Sequence, residues 1–246
     1  MTAGHAPSSP GNGMDVVATL HARKSVRGFL DTPVSQQTVE AILAVASRSP
    51  SASNTQPWRV HVCAGAVRDQ LSAELVALHL AGGPGHAEEY AYYPATWRAP
   101  YLSRRQAVGK ALYGLLGIPK GDTGAMTRQY ARNFDFFGAP VGLFFTIERD
   151  QAQAAWLDLG MFLHAVMLAA VAHGLGTCAQ QAFARYHRLI RARLAIPEAE
   201  IVVCGMSLGY PDPAAAANQL ETRREPVDGF ARFAGFTGSG DSGIAR

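Results

Sequence analysis

From Ala154 to Leu175 the chain reads AAWLDLGMFLHAVMLAAVAHGL, an almost unbroken apolar run. It has about the length that spans a bilayer, roughly 20 residues. Asp158, His164 and His173 interrupt it, and no basic flank marks an inside end. A helix apolar all round is otherwise one buried in a large core or a subunit interface, which is the expectation here. With 48% hydrophobic and 17% charged residues, the chain can build such a core. His164 and His173 are then read as packed, hydrogen-bonded helix residues, since no HExxH spacing or carboxylate cluster supports a metal. Trp156, Met161, Phe162 and Met167 are read as interface packing.

The remaining elements follow from period and punctuation. Val16 to Ala22 opens a short helix, and Ser35 can N-cap a second whose Val39, Ile42, Leu43 and Ala46 recur at helical spacing. That helix ends near Arg48, because Pro50 drives the residue before it out of the helical region. A strand is expected from Trp58 to Cys63, with Trp58, Val60 and Val62 on one face and Arg59, His61 and Cys63 on the other. A helix carrying Leu71, Leu75 and Leu78 runs to the turn Gly82-Gly83-Pro84-Gly85, and His86 to Arg105 shows little periodicity. Helices at Arg104–Leu116 and Thr123–Phe134 precede Ala139–Ile147, a continuous apolar run that fits a central strand covered on both faces. After the long apolar helix come a turn at Gly174–Cys178, a helix from Tyr186 to Ala195 and a strand from Ile201 to Leu208. Few strands among many helices, without strict alternation, make this an α+β fold. The expected organisation is one domain over 15–236 with an excursion or lid at about 82–137, a disordered tail at 1–14 and a flexible tail at 237–246.

The 22 Lys and Arg against 19 Asp and Glu give net charge +3, spread rather than striped, which argues against nucleic acid as a partner. Cys63, Cys178 and Cys204 fit neither a disulfide framework nor a zinc pattern, so buried inert thiols in a reducing compartment are expected. The segment before Met14 lacks the basic start and apolar core of a signal peptide, which points to a cytoplasmic protein.

Two polar segments flank the second helix. In Arg23-Lys24-Ser25-Val26-Arg27 three cations and a hydroxyl lie close together, and Arg23, Ser25 and Arg27 share one side of an extended chain. Guanidinium groups bind phosphate through paired, charge-assisted hydrogen bonds. Alone, the segment is better read as a basic turn at a helix end. Pro50-Ser51-Ala52-Ser53-Asn54-Thr55-Gln56-Pro57-Trp58 adds a turn expected to leave backbone N–H groups unpaired, with Asn and Gln amides able to read a pyrimidine-like edge.

Taken in order, RxSxR, PSxxNxQPW, the APVGLFF strand, GLGTC after a long apolar helix, GYPD and a distal Arg-Arg-x-Pro resemble the FMN-dependent nitroreductase family over nearly the whole chain after Met14. The tyrosine and arginine run from Tyr92 to Arg105 and the segment Tyr113–Gly117 resemble its nitrobenzoate-reductase branch. The resemblance implies a nitroreductase-like fold: a central mixed sheet surrounded by helices, in an intertwined homodimer. It implies an FMN enzyme taking hydride from NADH or NADPH at flavin N5 and passing electrons, by a ping-pong scheme, to a nitroaromatic or quinone. No side chain is then a catalytic residue, and neither metal nor membrane is involved.

By the same resemblance Arg23 and Ser25 bind phosphate, and Arg27 is the cation beside the flavin pyrimidine. Pro50, Ser51, Ala52, Asn54 and Gln56 belong to the loop that reaches the flavin held by the other subunit, with Ala52 where a serine is common. Ala179, Gln180, Gln181 and Ala182 match the segment whose backbone faces flavin N5; Ala179 and Gln181 stand where proline and an acidic residue are frequent. Arg224 matches the late phosphate arginine, with Arg223 beside it. Arg98, Arg104 and Arg105 are candidates to meet an acidic substrate. A reductive dehalogenase or flavin-fragmenting enzyme of the same fold, or a flavin-binding protein without turnover, are the alternatives. Halide release, flavin loss or a failure of NADH and NADPH to bleach the flavin would mark them.

Overall fold

Arg59–Ala64 (β1), Val141–Glu148 (β2), Gly176–Gln180 (β3) and Glu200–Gly209 (β4) form one sheet in the order β1-β2-β4-β3, with every pairing between them antiparallel. The parallel component of the mixed sheet expected from sequence is confined to an isolated bridge between Ser25 and Thr177. This computed structural model describes residues 15–236. The tails expected at 1–14 and 237–246 lie outside the described residues.

Around the sheet lie the helices Val16–Ala22 (α1), Gln36–Ala46 (α2), Gly65–Leu80 (α3), Tyr101–Leu115 (α4), Thr123–Ala131 (α5), Gln153–Ala172 (α6), His187–Leu194 (α7) and Val227–Phe230 (α8). Helix α2 starts as its sequence dictates, with the Ser35 side chain accepting from the Thr38 N–H. Strand β2 is central and buried from Val141 to Ile147, which is why its sequence is continuous rather than alternating. Its side chains divide between two cores. Phe144 joins Leu71, Leu75, Phe134, Phe136, Phe183 and Tyr186 on one face. Leu143, Phe145 and Ile147 join Ile42, Leu159, Phe162 and Val166 on the other.

The apolar run forms α6, a core helix of this domain, packed through Ala155, Leu159, Phe162, Val166, Ala169 and Ala170. Its outer stripe is different. Leu157 is 73% exposed and Met161 41%, and Val16, Val17 and Leu20 of α1 and Val45 of α2 are exposed as well. Of the four residues read as interface packing, only Met161 lies on that stripe. Phe162 is buried and stacks on Trp58 at 4.6 Å, while Trp156 and Met167 pack against the core. His164 and His173 are also exposed rather than packed, although His173 is hydrogen-bonded as expected, its Nδ1 to the Ala169 carbonyl at 2.8 Å. His164 follows Leu157 and Met161 at seven and three residues, so it shares their side of the helix, a relation that composition alone cannot reveal.

Other departures have local causes. The turn expected at Gly174–Cys178 is confined to its start, where Gly174 (φ 72°) ends α6; Gly176 already opens β3 and is there for space. A Cβ at Gly176 would lie 2.5 Å from Val26 Cγ2. In β1, Val62 is 44% exposed while Cys63 is buried, because Cys63 packs into the core beneath α3. The excursion carries two helices, α4 and α5, and its longest irregular part runs between α3 and α4. The start of that part is pinned: Glu89 pairs with Arg149, with His187 at 3.1 Å and with Arg191 at 3.3 Å, and the Tyr90 hydroxyl donates to the Val203 carbonyl. All three cysteines are free and buried, and burial pushes the Cys63 and Cys204 thiols up to about 12, out of the nucleophilic range.

Candidate active site

Helix α1 ends at Ala22, and Arg23 leaves it with extended geometry (φ −64°, ψ 121°), so the basic segment runs as a strand-like arm. The arm docks on the edge of β3. Val26 N–H donates to the Thr177 carbonyl at 2.9 Å, and the buried Val26 side chain fills the space left by Gly176. From the far side Asn218, 4% exposed, clamps it. Its Oδ1 accepts from Arg27 N–H at 2.7 Å, its Nδ2 donates to the carbonyls of Gly28 at 2.8 Å and Asp212 at 2.9 Å, and its own carbonyl accepts from Lys24 Nζ at 2.7 Å. Every polar atom of the amide is thereby used, which fixes the arm's position.

The arm forms one wall of a cleft of about 790 Å³. Arg23, Ser25 and Arg27 line it with Lys24, facing Arg224 across the gap, so four of the predicted or adjacent cations meet one carboxylate, Glu221. The guanidinium of Arg23 has no hydrogen-bond or ion-pair partner among the described residues. Arg224 makes its three bonds, to the Thr222 carbonyl and hydroxyl and the Arg223 carbonyl, through Nη1 alone, leaving Nε and Nη2 available. Arg223 does not line the cleft. Burial pushes up the thiol of Cys178, a core residue that does not line the cleft, opposed by Arg27 and by a hydrogen bond with Ser25, so it is no nucleophile. Excess fixed positive charge with free guanidinium donors suits a phosphate monoester.

None of residues 50–56 lines this cleft. The loop instead sits against the N-terminal half of α6, where the buried Asp158 carboxylate accepts from the Ala52 N–H at 3.1 Å. The expectation of unpaired backbone donors fails here. Ala52, Asn54, Thr55 and Gln56 each spend their N–H within the chain, on Asp158 Oδ2, the Ser51 carbonyl, the Ala52 carbonyl and Ser51 Oγ. What the loop exposes is Ser53, Asn54 and Gln56 with positive φ of 49°, 58° and 49°, strain of a kind that concentrates at ligand contacts. Asp158 escaped notice as a site residue, although a lone carboxylate in an apolar helix must find a partner. Asp158→Ala is expected to leave the Ala52 N–H unpaired and the loop loosened, costing about 1–3 kcal/mol of stability. Chemical denaturation checks the cost, and faster proteolysis near residues 51–56 checks the location.

The segment 179–182 lies along and just beyond β3. Ala179 and Gln181 are exposed, whereas the Gln180 side chain turns inward, donating to the Asn133 carbonyl at 2.6 Å and accepting from the Ser207 hydroxyl at 2.6 Å. Only backbone is therefore free at Gln180. A second cleft of about 350 Å³ shares Arg27 with the first and is reached by Leu116, Gln129 and Arg132 of the excursion. The three arginines proposed to meet substrate are scattered. Arg104 pairs with Glu225 at 2.7 Å, Arg105 lies over the Tyr93 and Trp97 rings at 5.4 and 5.0 Å, and Arg98 is exposed.

Residues 20–210, which contain the arm, the loop and β3, match the model of the nitroreductase family. The chain belongs to the nitroreductase family. Among relatives, it is 42% identical to a 4-nitrobenzoate reductase of Pseudomonas putida over 90% of this chain and 96% of that protein. It is 39% identical to a nitrobenzene nitroreductase of Ectopseudomonas oleovorans, over 87% of this chain and 94% of the other. Among solved structures, the FMN and NADPH-dependent nitroreductase NfnB from Sphigopyxis sp. strain HMH superposes with a TM-score of 0.87 at 36% identity, covering 91% of this chain and all of that one. The α+β architecture is thus that of the nitroreductase family; the arm and His164 fall in the matched region, whereas the Asn218–Arg224 wall of the cleft lies beyond it.

Proposed function

We propose that this protein is an FMN-dependent NAD(P)H oxidoreductase that reduces nitroaromatic compounds. One observation carries the proposal: a cleft in which Arg23, Ser25, Arg27 and Arg224 converge with net positive charge, in a chain of the nitroreductase family. The chemistry of the lining fits a phosphorylated flavin, with Arg23, Ser25 and Arg224 holding the phosphate, Arg223 beside them, and Arg27 next to the ring system. When bound, FMN supplies hydride chemistry between a reduced nicotinamide and an electron-poor arene. The protein's part is to hold it. Arg27, fixed through its own N–H by Asn218, presents a permanent cation whose field favours negative charge developing nearby.

The exposed apolar stripe of α6, with Val16, Val17 and Leu20 of α1, supports a homodimer in which that stripe is covered. The loop 50–56 stands outside its own chain's cleft, which supports its service to the other subunit's flavin; there Asn54 and Gln56 side chains and the Pro50–Ala52 carbonyls would make the contacts. Segment 179–182 contributes backbone on the β3 side. A soluble cytoplasmic enzyme acting on nitroarenes or quinones is the consistent setting. Of the three candidate arginines, Arg98 is the one whose guanidinium has no partner among the described residues, while Arg104 and Arg105 would have to exchange Glu225 or their aromatic partners for a substrate carboxylate.

The decisive experiment is anaerobic. Purified protein reconstituted with FMN should bleach on addition of NADH or NADPH and regain its yellow colour with 4-nitrobenzoate or nitrobenzene. Protein that takes up no FMN, or holds it without bleaching, would sink the proposal.

A further inference from the structure

We infer that His21 and His164 form a proton-sensitive rim of the phosphate site, so that FMN is held more tightly when their imidazoles are charged. The inference rests on the FMN reading of the cleft. Both residues line it. They reach it from two packed helices, His21 from the last turn of α1 and His164 from the outward stripe of α6. Neither imidazole has a hydrogen-bond or ion-pair partner among the described residues, so neither is held there by the fold. Both are exposed in the single chain, so neither is needed to fill its own core.

The groups facing them set the sign. Around the cleft stand Arg23, Lys24 and Arg27 from the arm, and Glu221 and Arg224 from the segment after Asn218. On α6 the nearest ionisable residue to His164 is Asp158, which is turned to the Ala52 N–H. Together the groups around the cleft set four cations against one carboxylate. A phosphate dianion among them reverses that field, and each imidazole then gains from being charged. Imidazole is the ordinary side chain whose charge changes between pH 5 and 8, so the gain falls in the working range. Binding therefore takes up protons at His21 and His164, and by linkage affinity rises as pH falls through their titration. The ligand has an opposing trend, since a phosphate monoester loses its second negative charge below about pH 6. Only a comparison of variants separates the two.

The test titrates apoprotein with FMN by flavin fluorescence between pH 6.5 and 8.5, using wild type, His21→Asn, His164→Asn and the double variant. Riboflavin, which lacks the phosphate, is the control ligand. At pH 6.5 wild type is expected to bind FMN about 10-fold more tightly than the double variant, as for a charge-assisted hydrogen bond. The difference should shrink towards pH 8.5 and be absent with riboflavin. Calorimetry in two buffers of different ionisation enthalpy should show proton uptake in wild type that the double variant lacks. Equal FMN affinities and equal proton uptake in wild type and double variant would overturn the inference, as would the same histidine dependence for riboflavin. Failure of the wild-type apoprotein to bind FMN at any pH would instead defeat the FMN reading, so the two failures are distinct. Asparagine keeps a polar group at exposed positions, and the single variants give the same readout if the double variant folds poorly.

Discussion

Arg23→Ala is expected to weaken FMN binding on the order of 10–100-fold, the range for losing hydrogen bonds to a charged group. The size follows from the setting. The Arg23 guanidinium lines the cleft with no partner among the described residues to give up, so what it offers a phosphate is not offset by a bond broken among them. Nor can a neighbour slide in to replace it. The arm is held at Val26 by the Thr177 carbonyl and at Lys24 and Arg27 by Asn218, so Lys24 is tied back to the Asn218 carbonyl. Arg23→Lys should recover part of the affinity through charge alone, because the planar fork is lost. Riboflavin affinity should change little in either variant. Fluorescence titration of the apoprotein decides it, and an unaltered FMN dissociation constant in Arg23→Ala would remove Arg23 from the phosphate site.

Phe183→Ala should have the largest effect on stability, about 3–5 kcal/mol, lowering the melting temperature by about 6–20 °C. Phe183 is fully buried between Phe134, Phe136 and Phe144, with ring centroids at 5.6, 4.8 and 5.1 Å, and its ring lies flat on Gly205 of β4. A Cβ at Gly205 would come within 2.4 Å of that ring, so the sheet has no side chain to move into the space. The ring also sits in the 3-10 turn Gln181–Tyr186, which continues directly from the segment 179–182. Loss of the ring should therefore lower FMN retention as well as the melting temperature. Thermal unfolding of the apoprotein isolates the packing term, and a melting point within 2 °C of wild type, roughly one kilocalorie in a domain of this size, would show that the cavity collapses or is filled.

Much of this architecture was legible along the chain because its causes are local. Ser35 accepts from the backbone three residues on, the periodicity of Val39, Ile42 and Ala46 marks one helix face, and the unbroken run in β2 marks a strand with two covered sides. The phosphate arm was legible for a related reason: residues two apart in an extended segment share a side, so Arg23, Ser25 and Arg27 had to converge if the segment left the helix. Where sequence and structure differ, the cause is not local. Gly176 carries the usual mark of a turn, whereas its role is to admit a side chain from residue 26. His164 has apolar sequence neighbours, yet the rotation of α6 turns it outward to the cleft. Asp158 signals from sequence only that it must have a partner, not which one, because the Ala52 N–H lies 106 residues away; Asn218 likewise reaches Arg27 across 191 residues.

By itself the sequence determined which segments are helix or strand, that one helix must be central, and which arginines and serine could meet a phosphate. These depend on periodicity, capping and side-chain chemistry within a few residues. Only the tertiary structure decided that Arg224 closes the same cleft as Arg23, that the loop 50–56 is tied to α6 and stands apart from that cleft, and that two histidines complete its rim. Each of these is a distance between segments remote in sequence, fixed by packing on the sheet and by buried polar groups that must all be satisfied at once.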